Sequence, residues 1–375
     1  MRTDEEFTSN DLIQGHQLMA LIFVSRLVPI TVTFPSITGI SVPQDGWIVM
    51  FISTLGAIPV VLWINWLAQA FPRRTIVEYS EILLGKIAGK ALSLVFVFYL
   101  LLIAGITARQ VGEAYTAAIM PETPILVFMG VIAFVAGNAA YNGVEVVGRV
   151  AETVFWIVLV VTVVVLTLPM NAMRFENLRP VLPGGLGIIV KETATSWIIF
   201  LEIIVSAMIV PFLTRPSDAR RFSLLAVGGV GLVGMSFAAV LVAVFGVLTP
   251  TLTLPAFSLG RLISIGDFLE RIEVIPMGIW TVSAGVKMSF FLWAGAVGLA
   301  QICGLRRYQP FVYPLCVLSV SLGVLLFDDV MEMERFSAPE RSGICIMVIV
   351  LGFMTVLTLA RLLRGNRTSG DGGEG

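Results

Sequence analysis

Ten long apolar stretches dominate the chain and constrain its fold more than any other feature. One helix needs about 20 apolar residues to cross a bilayer. Short connections separate the stretches, and none is long and polar enough to fold as a soluble domain. We therefore predict an all-α polytopic membrane protein with a single domain. The ten spans are expected at residues 12–39, 45–70, 90–119, 124–141, 145–168, 186–213, 222–249, 274–303, 311–328 and 341–364.

Composition excludes several other classes of protein. Only 13% of the residues are charged, too few to cover the surface of a soluble domain of this size. The hydrophobic share of 57% and the net charge of -1 exclude a disordered chain. Because 24 basic residues face 25 acidic ones, the chain also lacks the excess of a nucleic-acid binder.

The distribution of basic residues predicts the orientation. With the N-terminus in the cytoplasm, fourteen of the 24 basic residues lie in inside segments and seven in outside segments. Short cytoplasmic loops carry an excess of lysine and arginine. This bias predicts that both termini are cytoplasmic. We expect one domain over 1–368, with halves at 1–170 and 171–368, and a flexible tail at 369–375.

Three charged residues lie deep inside predicted spans: Arg26 in the first, Glu202 in the sixth and Lys287 in the eighth. Such a charge costs several kcal/mol unless it is paired or faces water. We expect Glu202 to be protonated or paired with a basic residue. Lys287 lies near Ser283 and is placed either to replace a bound cation, to reach the interface or to pair with Glu202. Helix packing alone is the alternative interpretation for each.

Prolines interrupt the first and sixth spans. Pro29 and Pro35 follow Arg26, and Pro211 lies near the end of the sixth span. Proline removes a backbone donor and disrupts the preceding turn, so carbonyls over 23–26 become available to a ligand or ion. Interrupted helices at matching positions of two halves are typical of a transporter site at the membrane midplane. A simple proline kink is the alternative.

Three further features lie toward the membrane surfaces. In the third span Arg109 and Glu113 are four residues apart and can pair on one helix face, either as a satisfied surface pair or as a gate above the pocket. Residues 73–89 form an amphipathic segment that either lies along the inner surface or covers a neighbouring span. Residues 250–271 are expected to contain a short external helix that acts as a lid.

No catalytic or cofactor motif is evident. The sequence contains no Ser-His-Asp set, metal-ligand cluster or nucleotide-binding loop, and His16 is the only histidine. Cys303, Cys316 and Cys345 are expected to pack as small apolar residues. We therefore predict that the chain is not an enzyme and that it holds no metal and no cofactor.

Several segments together resemble the spore germination permease family of the GerAB type, within the amino acid–polyamine–organocation superfamily. Their order and spacing run over nearly the whole chain. The matching segments are PQDGWI at 43–48, FPRRTIVEYSEILLGKIAGK at 71–90, MPETP at 120–124, YNGVEVVGRVAE at 141–152, NLRPVLPGG at 177–185, PFLTRP at 211–216 and LGRLISIGDFLERIEVIPMGIWTVSAGVKMSFFLWAGAVGLAQICGL at 259–305.

The resemblance implies a fold, a role and partners. The fold would be LeuT-like, with ten spans in two inverted five-helix repeats and discontinuous first and sixth spans. The role would be that of a germinant receptor B subunit, which works with an A subunit and a lipoprotein C subunit in the spore inner membrane. Such a subunit senses a small germinant, commonly an amino acid.

The resemblance also implies a pocket between the breaks in spans one and six, lined in addition by spans three and eight. One departure is that Leu27-Val28-Pro29 stands where this fold commonly has small residues such as glycine. An ordinary amino acid permease, proton-coupled through Glu202, is the alternative function. The residues implied for the pocket are Val28, Pro29, Ile30, Thr31, Gly105, Leu201, Glu202, Ser283 and Lys287, with Arg26, Arg109 and Glu113 as gating or ion-pair residues.

Overall fold

The computed structural model describes residues 12–32, 42–252, 255–261, 274–327 and 344–364, and the predicted tail lies outside these ranges. The described residues form helices and no strand. A single isolated bridge between Ile13 and Leu213 is the one β-type pairing among them. The helices are α1 (Gly15–Val32), α2 (Gly46–Ala68), α3 (Ile76–Leu84), α4 (Lys86–Ala118), α5 (Ile125–Tyr141), α6 (Val144–Thr167), α7 (Gly185–Leu201), α8 (Asp218–Phe245), α9 (Pro255–Arg261), α10 (Val274–Cys303), α11 (Gln309–Leu325) and α12 (Ile344–Arg364).

Ten of these helices fall on the ten predicted spans, and α3 and α9 lie between spans. Among the described residues, six helical segments are long and apolar enough to cross a membrane, and two more, α5 and α11, are apolar but shorter. The chain is therefore an integral membrane protein that crosses the bilayer several times. The spans outside both groups are α1 and α7, the two that we expected to be interrupted.

The helix contacts repeat between the two five-span halves. The first span, α1, packs extensively against the seventh span, α8. The corresponding pair in the other half is the sixth span, α7, with the second span, α2, and these two helices are also in extensive contact. In the same way, the contact of the fourth span, α5, with the eighth, α10, corresponds to the contact of the ninth span, α11, with the third, α4. These two matched pairs of contacts are expected of the repeat that the sequence resemblance implied, although no residue-level similarity between the halves is visible.

Apolar side chains occupy both the interior and the outer face of the bundle. Phe200 and Trp293 are fully buried, whereas Phe134 and Trp156 are more than 60% exposed on the outer face. A helix that is apolar all round is typical of a membrane span. The outward aromatic side chains of α5 and α6 therefore face lipid.

Glycine brings α4 and α11 into close contact. A Cβ built on Gly105 would lie 2.3 Å from the carbonyl oxygen of Ser319, and one built on Gly323 would lie 2.6 Å from the carbonyl oxygen of Gly105. Small residues allow backbones to approach in this way within membranes. Gly105 is thus a packing position between two helices.

The amphipathic segment after the second span covers neighbouring helices. Thr75 and Glu78 form a capping box that begins α3, which satisfies orphan donors at the helix start. Ile76, Val77 and Tyr79 are fully buried, and α3 packs mainly against α4. Of the two interpretations left open by the sequence, the structure supports the one in which the apolar face covers a span.

The segment expected to contain a short helix does contain one, and its role as a lid stays a prediction. Helix α9 covers Pro255–Arg261, and residues 262–273 lie outside the described part. Leu259 is fully buried in a small apolar cluster with Val165, Phe237 and Leu241. These contacts fasten α9 to α6 and α8.

Candidate functional site

The sixth span changes its helical geometry at Glu202. Helix α7 ends at Leu201, and the chain continues as 3-10 helix over Glu202–Met208 and again over Val210–Phe212. Stretches of 3-10 helix longer than three or four residues are uncommon and often mark a hinge. The interruption predicted from Pro211 therefore begins nine residues earlier in the chain, directly at the buried carboxylate.

The first span differs from the simple prediction of a break at Pro29. Helix α1 continues through Pro29 to Val32, and residues 33–41 lie outside the described part. Pro29 has no backbone N–H to offer the carbonyl of Ser25. The helix tolerates this loss because its other turns are held by the surrounding spans.

Glu202 joins three helical elements through charged contacts. Its Oε2 atom accepts an ion pair from the Arg26 guanidinium of α1 and lies 3.0 Å from Nζ of Lys287 of α10. Arg26 Nη1 also donates a hydrogen bond of 2.9 Å to the carbonyl of Ile199 in the last turns of α7. Both cations lie about 6 Å from the ring centre of Phe291. We call Arg26, Glu202 and Lys287 the charged network.

The charged network is buried and carries a formal charge of +1. Arg26 and Lys287 are 1% and 2% exposed, so their charges depend on the shared carboxylate for compensation. Tyr99 of α4 is fully buried and close enough to Glu202 and Arg26 to interact electrostatically. Its hydroxyl has no hydrogen-bond partner among the described residues. The excess positive charge of the network suits an anionic group.

An apolar cavity of about 50 Å³ lies next to the charged network. Leu27, directly after Arg26, lines it from α1, and Ser283, one turn before Lys287, lines it from α10. Side chains of α6, α8 and α9 complete its walls. The remaining lining residues are Val158, Val161, Thr162, Val165, Leu166, Phe237, Ala256, Pro276, Ile279 and Trp280.

The structure groups some of the predicted site residues and separates others. Arg26, Glu202 and Lys287 meet in the charged network, and Ser283 lines the adjacent cavity. Leu201 is fully buried directly before Glu202, and Ile30 is fully buried in the core. The backbone of Val28, Pro29 and Thr31 belongs to α1, but the side chains of Val28 and Thr31 lie outside the described part.

Gly105 lies in the contact between α4 and α11. It faces Ser319 and Gly323 of α11, and it is not among the residues that line the cavity. The close contact between α4 and α11 accounts for its lack of a side chain, and its place in the ligand pocket stays a prediction.

Arg109 and Glu113 form an ion pair, but a buried one. Arg109 Nε lies 2.5 Å from Glu113 Oε1, and the two side chains are 8% and 15% exposed. A satisfied surface pair is therefore not the right description. The pair does not line the apolar cavity, so a gating role for it stays a prediction.

A family model described as "Spore germination protein" matches residues 12–335. This chain belongs to that family. Spore germination protein KB of Bacillus subtilis (strain 168) is 25% identical over 322 residues, which cover 84% of this chain and 84% of that protein. Spore germination protein YndE of the same organism is 24% identical over 302 residues, or 79% of this chain and 82% of the relative. The resemblance drawn from the sequence segments is confirmed.

Solved structures of membrane transporters share the fold. The nucleobase-cation-symport-1 family transporter MHP1 covers 92% of this chain and 78% of its own length, with a TM-score of 0.67 at 12% identity. MhsT in complex with L-phenylalanine covers 92% of this chain and 94% of its own length, with a TM-score of 0.64 at 11% identity. At such low identity the likeness shows the fold alone. The predicted LeuT-like fold is confirmed.

Several residues of the site escaped the sequence-based prediction. Tyr99, Phe237 and Phe291 are aromatic residues in apolar runs, and the sequence does not distinguish them from ordinary core residues. The lining contributed by α6 was also missed. Its residues recur at helical spacing from Val158 to Val165, the same pattern that any buried helix face shows.

Proposed function

We propose that this protein is a germinant receptor B subunit that senses a small germinant, an amino acid, and passes the signal to partner subunits. Membership of the spore germination family supports a role in germination. The charged network supports the location of the ligand site, and it is the observation on which the proposal rests. It ties α1, the break after α7 and α10 to one carboxylate, so a ligand that competes for any of its members changes how the three elements are held together.

The mechanism follows from the charges of the network. A ligand carboxylate is attracted by the excess positive charge and by the free Tyr99 hydroxyl, whereas a ligand ammonium is attracted by Glu202. Binding would draw Lys287 or Arg26 partly away from Glu202. The 3-10 segment after Leu201 then has a second arrangement available. A ligand shifts this equilibrium only through its different affinity for the two arrangements.

The same proposal assigns partners and a location. The partners would be the A and C subunits of a germinant receptor, and the membrane would be the spore inner membrane with both termini in the cytoplasm. Relatives named spore germination protein B2 and A2 of Bacillus subtilis (strain 168) cover 76% and 78% of this chain. These similarities support a role in germination, and the receptor complex itself belongs to the proposal.

A proton-coupled amino acid permease is the second candidate. Its support is the transporter fold together with a buried carboxylate, Glu202, that two cations share. Protonation of Glu202 would leave both cations uncompensated, which provides a means of coupling a proton to a conformational change. No nucleic acid, metal or cofactor enters either candidate function, and neither is enzymatic.

Reconstitution of the purified chain into sealed vesicles tests the proposal. Radiolabelled amino acids are offered one at a time, and binding to the protein is compared with accumulation inside the vesicles. The receptor proposal expects saturable binding with no accumulation above protein-free vesicles. Sustained accumulation driven by a proton gradient would favour the permease, and failure of every amino acid to bind would refute both.

A further inference from the structure

We propose that the end of α12 forms a binding site for the headgroup phosphate of an anionic phospholipid, in the groove that α12 makes with the ends of α2 and α3. Arg361 and Arg364 of α12 supply the positive charge, and Trp66 of α2 supplies an aromatic wall. The site shares no residue with the charged network, so it stands or falls independently of the ligand proposed there.

Arg361 connects the end of α12 to the end of α2. Its guanidinium lies over the indole ring of Trp66, with 3.9 Å between Cζ and the ring centre, and Nη1 donates a hydrogen bond of 3.0 Å to the carbonyl of Trp66. Because α2 ends at Ala68, this carbonyl belongs to the last turn, whose acceptors lack intrahelical donors. One turn earlier, Trp63 Nε1 donates a hydrogen bond of 2.8 Å to Thr358 Oγ1. The last turns of α12 are therefore attached to α2 through side chains.

Arg364 makes the matching contact with α3. Its Nη1 donates a hydrogen bond to the carbonyl of Ile82, in the last turn of α3. That helix ends at Leu84, and Gly85 turns the chain away with a φ of 87°. Because Arg361 and Arg364 are three residues apart, they lie on one side of α12. The two arginines therefore cap two consecutive helices from the same groove.

Helix capping uses only part of each guanidinium group. A guanidinium carries five N–H donors, and each arginine donates one hydrogen bond within the described part of the chain. Neither arginine forms an ion pair with a described acidic residue. The groove thus presents two positive charges and several remaining donors, an arrangement that suits a phosphate. Capping alone is the simpler interpretation that an experiment has to exclude.

The apolar side chains around the groove identify the source of the phosphate. Leu359 and Leu363 of α12 and Ile87 at the start of α4 are all more than half exposed. In a chain that crosses a bilayer such side chains face hydrocarbon, so the arginines lie where the hydrocarbon meets the headgroups. Tryptophan is enriched at this depth, and basic pockets between spans bind anionic headgroups there. A phospholipid can contact both the arginines and the leucines, whereas a free phosphate ion can contact only the arginines.

A lipid bound in this groove would join the ends of three helices. The last span, α12, packs against α3, α4 and α7, and the two arginines extend its contacts to the end of α2. A phosphate held by both arginines adds a further link between α12 and the ends of α2 and α3. Because a ligand that binds only the folded state raises stability, an anionic lipid should stabilise the folded chain.

Lipid add-back to the delipidated, purified full-length chain tests the proposal. The probes are dioleoylphosphatidylglycerol, dioleoylphosphatidylcholine, which has the same acyl chains and no net charge, and inorganic phosphate, which has no acyl chain. Native mass spectrometry measures the affinity for each lipid, and thermal unfolding measures stabilisation by all three probes. Phosphatidylglycerol should bind about tenfold or more tightly than phosphatidylcholine, and it alone should raise the unfolding temperature.

Three single variants of equal charge separate the groove from the rest of the surface. Arg361→Gln and Arg364→Gln should each weaken phosphatidylglycerol binding about fivefold, the contribution of one basic residue near a membrane surface. Arg149 is the matched control, because its side chain is 70% exposed at the start of α6, which the span count places on the same membrane side. Arg149→Gln should leave the affinity within about twofold of wild type, because salt screens distant charges.

A crosslinking experiment on the wild-type chain keeps the proposal testable if an arginine variant does not fold. Phosphatidylglycerol with a photoreactive headgroup should label peptides that contain Trp66 or Arg361, and an excess of unlabelled phosphatidylglycerol should suppress the labelling. Equal affinity for the two lipids, stabilisation by inorganic phosphate alone, or labelling confined to other helices would overturn the proposal. Unchanged lipid affinity in folded Arg361→Gln and Arg364→Gln would also overturn it and would leave helix capping as the role of both arginines.

Discussion

At the scale of single residues, one carboxylate compensates two buried cations. Glu202 contacts both Arg26 and Lys287, and both cations are almost fully buried. Removal of one cation leaves a neutral pair, whereas removal of the carboxylate leaves two uncompensated charges. The three residues are therefore not equivalent, although the sequence presents them simply as three charges inside spans.

This asymmetry predicts the stabilities of two variants. Glu202→Gln should lower the free energy of unfolding by about 3 kcal/mol or more, because it leaves buried charges without a partner. Lys287→Met should change it by less than about 1 kcal/mol, because the pair of Arg26 with Glu202 persists. Thermal unfolding in detergent, followed by intrinsic tryptophan fluorescence, measures the difference. Equal destabilisation by both substitutions would contradict the shared-carboxylate arrangement.

The sequence predicted the members of the network but not the whole arrangement. A charge in an apolar run is conspicuous, so Arg26, Glu202 and Lys287 could be singled out in advance. Pairing of Lys287 with Glu202 was one of several alternatives for that lysine. The involvement of Phe291 and Tyr99 depends on how α4 and α10 are rotated, and apolar periodicity alone does not determine this rotation.

At the scale of elements, backbone hydrogen bonds join the residues before α1 to the end of the sixth span. Ile13 N donates to the carbonyl of Phe212 at 2.9 Å, and Thr214 N donates to the carbonyl of Ile13 at 3.0 Å. Nearby, His16 lies 3.1 Å from Glu152 of α6. The first and sixth spans are thus held together on the side where the charge bias places the cytoplasm.

Breaking this attachment should loosen the segment that follows the 3-10 helix. Ile13→Pro removes the donor to Phe212 and should accelerate hydrogen exchange in the peptide that contains Phe212–Thr214. Mass spectrometry of exchange at a fixed pH measures the rate. Leu12→Pro is the matched control, because the Leu12 side chain is 44% exposed. Equal acceleration by the control would show that the bridge does not hold this segment.

The close contact of α4 with α11 gives a second prediction for elements. Gly105→Ala should destabilise the protein by about 1–3 kcal/mol, because the added methyl forces backbones apart. Gly130→Ala on α5, where a Cβ would meet nothing within 4 Å, should be neutral or stabilise by about 0.5–1 kcal/mol. Thermal unfolding compares the two. A loss of ligand affinity in Gly105→Ala at unchanged stability would instead support the predicted place of Gly105 in the ligand pocket.

The sequence predicted the elements better than their contacts. Length and hydropathy located ten spans because each one must cross a bilayer of fixed thickness. The amphipathic pattern of α3 located its apolar face but not its partner. The interruption of the sixth span was predicted at Pro211, but the 3-10 helix begins at Glu202. A proline marks where a backbone donor is missing and not where the helix geometry first departs from α.

At the scale of the whole molecule, orientation is a prediction that one cysteine can test. Cys303 ends α10 and is exposed, on the side that the charge bias assigns to the cytoplasm. In a variant that keeps only this cysteine, a membrane-impermeant maleimide should label inverted membrane vesicles and not intact cells. A permeant maleimide should label both. Labelling of Cys303 in intact cells by the impermeant reagent would reverse the orientation.

The overall fold was predictable because lipid leaves few alternatives for a chain of this composition. The spans, their number and the LeuT-like arrangement follow from hydropathy and from the resemblance to one family. The apolar cavity was not predictable, because it arises where residues from five helices fail to fill the space between them. Its position depends on packing, which sequence periodicity does not specify.

The most direct test of the account is amino acid binding to the purified chain with and without Glu202. Equilibrium binding of radiolabelled amino acids should detect a saturable ligand in wild type. Glu202→Gln should weaken its affinity at least tenfold in nanodiscs at a temperature where the variant is shown to be folded. Wild-type affinity in the folded Glu202→Gln variant would contradict the claim that the charged network is the ligand site.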